Sequence, residues 1–74
     1  MTGTEVSLKQ FNRKPDVAVS GEDSAKAVCM SDGKFRKKNA DGTYSKEVLL
    51  DCKANGRNMV CGTGDGKKGC FTDS

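Results

Sequence analysis

Residues 52–70 read CKANGRNMVCGTGDGKKGC, and this stretch holds three of the four cysteines of the 74-residue chain. The cysteines lie at Cys29, Cys52, Cys61 and Cys70, separated by 22, 8 and 8 residues. An even number of cysteines in a chain too short for a large core is typical of an extracellular domain held by disulfides. We therefore predict that all four form disulfides.

Two other uses of these cysteines are a zinc site and a catalytic thiol. A structural zinc site usually has two close Cys-x-x-Cys pairs or a set of cysteines and histidines, and this chain has no histidine. A cysteine nucleophile would lack a histidine base for the same reason. We predict no metal, no cofactor, no catalytic residue and no enzymatic activity.

The spacing leaves the disulfide connectivity open. A two-residue turn at Asn55-Gly56 would place Cys52 and Cys61 diagonally on paired strands, about 7 to 8 Å apart, which is long for a disulfide. Pairing of Cys29 with Cys52, and of Cys61 with Cys70, is favoured over the other two connectivities.

The composition indicates one small domain over residues 1–74. At 7.9 kDa with 34 % hydrophobic residues, the chain buries little apolar surface, so disulfides contribute much of its stability. About 1–12 and 72–74 are candidates for disorder, as chain ends commonly are. The longest apolar run is Val48–Leu50, so no membrane insertion is expected, and Met1 is interpreted as an expression-derived start of a mature secreted form.

Turn residues and alternating polarity predict an all-β fold. Gly, Asn and Asp recur at short intervals in the second half of the chain and are typical of hairpin turns. We predict a small, disulfide-stapled, antiparallel β-sandwich or barrel of about five to six short strands. The expected strands cover 24–30, 34–38, 43–53 and 57–62, and the further strand candidates are 5–11, 16–19 and a short one near 69–72.

Two helices compete with this interpretation. Ser45 could begin a helix that ends at Gly56, although the flanking turns favour a strand. Ser20 with Asp23 could cap one short helix through 25–27, which would make the fold α+β.

The net charge of +3 lies in residues 29–46, which hold five basic and two acidic side chains. The candidate partner-binding residues are Lys34, Phe35, Arg36, Lys37 and Lys38. Clustered cations attract phosphate, anionic membranes or acidic proteins. The structural alternative is an exposed edge strand whose charges prevent aggregation. Nucleic acid is not favoured, because one aromatic residue offers little stacking surface.

Residues 64–69 match Gly-x-Gly-x-x-Gly, but a dinucleotide site needs a following helix and only five residues remain after Gly69. We interpret this stretch as a flexible loop between Cys61 and Cys70.

Several short stretches resemble small secreted effectors of plant-pathogenic fungi, especially the avirulence effectors of the rice blast fungus. The likeness covers about residues 29–71 and rests on CMSDGK from Cys29, DGTY from Asp41, VLLDC ending at Cys52, NMVCG around Cys61, and GCF around Cys70. It implies secretion, passage into the host cytoplasm, and a six-stranded sandwich of two antiparallel sheets joined by a disulfide. This chain departs from the pattern because its first 28 residues contain no cysteine.

The resemblance also implies the function. The expected protein is a monomeric, secreted, non-enzymatic effector that binds a host plant protein of unknown identity, suppresses immunity, and is recognised by a plant immune receptor. The alternative is a small basic antimicrobial or membrane-active secreted toxin, whose positive charge would attach it to anionic surfaces.

Overall fold

The structure is a computed structural model and describes residues 4–55 and 58–72. The elements follow in the order β1 (Glu5–Val6), β2 (Lys9–Gln10), β3 (Val17–Ala18), α1 (Gly21–Ser24), β4 (Ala27–Met30), β5 (Lys34–Lys38), β6 (Tyr44–Asp51), a 3-10 turn (Lys53–Asn55), β7 (Met59–Gly64) and β8 (Lys67–Thr72). One four-stranded sheet has the order β1-β4-β5-β6, and the other has the order β2-β7-β8-β3. The predicted all-β class is confirmed.

The described strands differ from the expected ones in number and pairing. There are eight, three of them only two residues long, and β2 runs parallel to β7 while the other pairs are antiparallel. The N-terminal strand candidate is divided, since β1 joins the first sheet and β2 joins the second. Disorder was expected at about 1–12 and 72–74. Of these residues, 1–3 and 73–74 lie outside the described part of the chain.

Of the two helices considered as alternatives, the structure contains one, in a shifted position. The segment from Ser45 is strand β6, so the helical alternative is wrong there. A helix does follow Ser20, but it covers Gly21–Ser24 and ends before 25–27. Asp23 accepts a hydrogen bond from the Ser20 hydroxyl at 3.1 Å.

The expectation of a hairpin at Asn55-Gly56 is wrong. Gly56 lies outside the described residues, but the strands on either side of it, β6 and β7, belong to different sheets. The chain crosses from one sheet to the other after β6, so the hairpin from which the diagonal distance was inferred does not form, although Cys52 and Cys61 are indeed not bonded to each other.

The flexible loop expected between Cys61 and Cys70 is also wrong. Strands β7 and β8 continue to Gly64 and from Lys67, which are register partners. Asp65 and Gly66 form the two-residue turn with φ of 52° and 73°. Positive φ at both positions matches the right-handed twist of a hairpin, so Asp-Gly is the sequence expected for such a tight turn.

Strand β6 departs from simple alternation. Its pairing with β5 shifts register between Phe35 and Arg36 and again between Arg36 and Lys38. Because an extra residue in a bulge reverses the side-chain alternation, Leu49 and Leu50 both pack against the core. Leu49 is the extra residue at the first of these shifts, between Leu50 and Val48, the partners of Phe35 and Arg36.

Both disulfides join the two sheets. Cys29 on β4 bonds to Cys61 on β7, and Cys52 after β6 bonds to Cys70 on β8. The prediction that all four cysteines are oxidised is confirmed, whereas the favoured pairing of Cys29 with Cys52 and of Cys61 with Cys70 is wrong. Cys61 and Cys70 lie directly opposite each other on β7 and β8. They bond to cysteines of the facing sheet instead of to each other.

The other face of the second sheet is covered by the segment before β3. The rings of Phe11 and Phe71 stack with centroids 4.1 Å apart and planes within 4°. The Arg13 guanidinium carbon lies 5.0 Å from the Phe11 ring centroid, and Asp16 accepts two hydrogen bonds of 2.8 Å from Thr72. Phe71 is fully buried as a result.

This covering segment requires glycines in the sheet beneath it. A Cβ at Gly62 would lie 2.6 Å from the Phe11 ring, and one at Gly69 would lie 2.1 Å from the Val17 carbonyl oxygen. Side-chain atoms in these places would push the segment away, since core contacts are already close-packed.

We predict that Gly69→Ala lowers the free energy of unfolding by about 2 kcal/mol or more, because the added methyl meets backbone that cannot move aside. Urea denaturation measures the change. Gly21→Ala is the matched control, since a Cβ at Gly21 meets nothing within 4 Å; it should change stability by less than about 1 kcal/mol. Equal effects of both substitutions would contradict the packing argument.

We predict that replacing Cys29 and Cys61 together by alanine costs about 3 to 4 kcal/mol, because the bridge closes a 32-residue separation. The same replacement of Cys52 and Cys70, 18 residues apart, should cost about 3 kcal/mol before any cavity cost. Denaturant unfolding of both variants provides the test. Losses below about 1 kcal/mol would show that the bridges add little to folding.

Candidate interaction surface

The basic segment 34–38 is strand β5, in the middle of the first sheet. It pairs with β4 on one side and with β6 on the other. The alternative of an exposed edge strand is therefore wrong, because the backbone groups of β5 are used within the sheet. Any contribution of this segment to binding must come from its side chains.

Phe35 points into the core and is fully buried. Its register partners are Cys29 on β4 and Leu50 on β6. A side chain in this position packs the two sheets together and is not available to a partner.

Arg36 holds the bulged part of the hairpin together. Its Nη1 donates to the carbonyl oxygens of Ser45 at 3.2 Å and Lys46 at 2.7 Å. The bulge releases these carbonyls from the ladder, and the guanidinium satisfies them. The buried Arg36 Nε has no hydrogen-bond partner within the described residues. This arginine is a structural residue of the sheet.

Lys38 belongs to a three-residue cluster across the first sheet. Glu5 Oε1 accepts hydrogen bonds from the Tyr44 hydroxyl at 3.0 Å and from Lys38 Nζ at 3.3 Å. The Lys38 ammonium also lies 5.8 Å from the centre of the Tyr44 ring. Sequence reasoning missed this cluster, because Glu5 is separated from its partners by 33 and 39 residues.

The cluster shifts the pKa values of Glu5 and Tyr44. The hydrogen bond from Tyr44, followed by that from Lys38, lowers the pKa of Glu5 below its ordinary value of 4.5. The same hydrogen bond raises the pKa of Tyr44 above 10.0, since Glu5 stabilises the neutral phenol. Each group is held in the protonation state that keeps the cluster intact near neutral pH.

Lys34 and Lys37 remain as cations of the segment without such a structural role. Neither ammonium has a polar partner among the described residues. Lys37 is exposed, and its amide donates to Ser45 Oγ at 3.4 Å; the residue after Ser45 on β6, Lys46, is also exposed. The pair forms the accessible basic patch, defined here as Lys37 and Lys46.

Strand β6 forms one edge of the first sheet. It is the longest strand at a sheet edge within the described ranges, since the other three edge strands, β1, β2 and β3, have two residues each. Residues 45–47 are distorted by the bulge, and Ser45 Oγ donates to the Glu47 carbonyl oxygen at 2.9 Å. The other register shift leaves Leu49 as an extra residue between Leu50 and Val48, the partners of Phe35 and Arg36, so the edge is irregular there as well.

The rest of the described chain adds no alternative site of known chemistry. Within residues 4–55 and 58–72, no group of three or more His, Cys, Asp or Glu side chains is placed to hold a metal ion. No helix in that part is long and apolar enough to cross a membrane. No protein-family model, no curated protein and no solved structure matches the chain.

We predict that Tyr44→Phe raises the pKa of Glu5 towards 4.5, because it removes the largest cause of the lowering. Glu5 is more acidic when folded, so its stabilising effect is present above pH 4.5 and is lost as the pH falls through the lowered value. NMR titration of side-chain carboxyl carbons measures the pKa of Glu5 in the wild type and in the variant. Asp41, whose pKa is lowered by Thr43, is the internal control and should not move. An unchanged Glu5 pKa would contradict the assigned cause.

Proposed function

We propose that the protein is a secreted, non-enzymatic effector of the fungal avirulence type that binds a host plant protein, suppresses immunity and is recognised by a plant immune receptor. The observation that carries most weight is the pair of disulfides between the sheets, which is consistent with an extracellular protein. The effector identity itself rests on the sequence resemblance over about residues 29–71.

The arrangement of charges supports binding more than catalysis. The acidic groups with lowered pKa values, Glu5, Asp16 and Asp41, are each hydrogen-bonded by neighbouring side chains that hold the fold. They make structural contacts at the surface and are not paired with one another in a cleft, as an acid and base would be. This supports a protein that acts through its surface.

The proposed host-protein surface combines the edge of β6 with the accessible basic patch. A partner strand could add to the β6 edge through main-chain hydrogen bonds where the bulges leave them available, while Lys37 and Lys46 would select acidic partner side chains. Arg36, Phe35 and Lys38 would support this surface from within the sheet. Within the segment 34–38, the proposal therefore assigns direct contact with the partner to Lys37.

We predict that Lys37→Glu with Lys46→Glu abolishes or weakens host-protein binding by at least about ten-fold, since charge repulsion replaces attraction. The partner would be identified by pull-down from host tissue and its affinity measured with purified proteins. The matched control carries Lys14→Glu and Lys67→Glu, two exposed lysines outside the patch, and should bind normally. Equal losses in both variants would contradict the assigned surface.

The toxin alternative predicts a different result for the wild type and the two charge-reversed variants. An electrostatic membrane binder would attach tightly to vesicles containing phosphatidylserine at physiological salt and would inhibit microbial growth. It would lose affinity with both charge-reversed variants. Such a result, without a saturable host partner, would replace the effector proposal.

A further inference from the structure

The two disulfides differ in their access to solvent. Cys52 and Cys70 are both fully buried, whereas Cys61 is half-buried at the surface end of the other bridge. Cys29 and Cys61 both line an open cleft of about 300 Å³ between the sheets. A dissolved thiol can therefore approach the Cys29–Cys61 bridge without the sheets separating.

A cation lies at the same cleft. Lys53 is among its lining residues, and the aliphatic part of its side chain is close to Gly33, where a Cβ would lie 3.0 Å from Lys53 Cε. Its ammonium has no hydrogen bond or ion pair among the described residues. A free ammonium attracts anions and favours a nearby thiolate over its thiol. The cleft thus suits a thiol that carries carboxylates.

The sulfurs of the two bridges touch. Cys61 Sγ lies 4.0 Å from Cys52 Sγ, although these atoms belong to different disulfides. A thiolate released at Cys61 would have the buried bridge within van der Waals contact. Because thiol–disulfide exchange proceeds by attack of a thiolate on a neighbouring sulfur, transfer between the bridges needs little movement.

We propose that the cleft is a reaction site for small anionic thiols of the glutathione class, and that opening of Cys29–Cys61 transfers Cys61 to Cys52. A glutathione thiolate attacks Cys61 Sγ, forming a mixed disulfide, and Cys29 leaves as a thiolate that takes a proton from water. A second glutathione thiolate attacks the glutathione sulfur, forming oxidised glutathione and releasing the Cys61 thiolate. This thiolate attacks Cys52 Sγ, forming the Cys52–Cys61 disulfide, and Cys70 leaves as a thiolate that takes a proton from water.

The product keeps one disulfide with a shorter span. The Cys52–Cys61 bridge would connect residues nine apart in sequence, whereas the bridge it replaces connects residues 32 apart. Strand β4, through Cys29, and strand β8, through Cys70, would both lose their covalent links. The reaction needs only a thiol, so it stands or fails independently of host-protein binding.

The test uses the oxidised wild-type protein and reduced glutathione at neutral pH, with timed acid quenching, alkylation by N-ethylmaleimide and peptide mass spectrometry. The expected first species carries glutathione on Cys61 and the alkyl label on Cys29. The expected one-bridge product contains Cys52–Cys61, with labels on Cys29 and Cys70. First modification at Cys52 or Cys70, retention of Cys52–Cys70 alone, or loss of both bridges without an intermediate would overturn the proposal.

The role of Lys53 is tested by the rate of the first exchange step. Lys53→Gln should slow the first step with glutathione by about two- to five-fold, the size expected for one exposed charge at short range. The step with neutral 2-mercaptoethanol should change less. Lys67→Gln, which removes an exposed lysine at the β7–β8 turn, is the matched control and should react like the wild type. Equal slowing of both thiols by Lys53→Gln would remove charge attraction from the proposal.

Discussion

The structure depends on four sulfur atoms that meet between two small sheets. Each bridge joins the second sheet, at Cys61 or Cys70, to β4 of the first sheet or to the residue after β6, and the bridges contact each other through Cys52 and Cys61. A chain of this size buries too little apolar surface to hold two sheets together easily. The bridges compensate by limiting the freedom of the unfolded chain, and Phe35 and the β6 leucines fill the space around them.

The same constraint explains how the remaining surface is organised. With one face of the second sheet committed to the sulfur cluster, its other face is covered by the segment 11–17, whose Phe11 stacks on Phe71. Three glycines of β7 and β8 allow the close approach, and a Cβ at any of them would lie 2.8 Å or less from an atom of that segment. The chain thus gains a second small apolar layer where a larger domain would have a helix.

The basic strand shows how structural and binding roles divide within one segment. The residues of β5 have different surroundings although they are neighbours in sequence. Alternation places Phe35 in the core, and the Arg36 guanidinium donates to the carbonyl oxygens of the bulge. Lys38 is engaged by Glu5 from a distant strand. The accessible basic patch remains exposed, and one of its two lysines lies on the edge strand β6, which is why the proposed binding surface combines the two.

Much of the local structure was predictable from the sequence by itself. Turn residues and β-branched or alternating segments identified β5 within its observed bounds, the extended form of β6 and the all-β class, because these depend on local backbone preferences. The even number of cysteines predicted two disulfides. Tertiary structure alone decided which cysteines pair, since that depends on β6 and β7 lying in different sheets, and no local signal near Asn55 reports the crossing. It also decided that Arg36 and Lys38 support the sheet, because their partners come from a bulge and from a strand 33 residues away, contacts that are formed only when the sheets assemble.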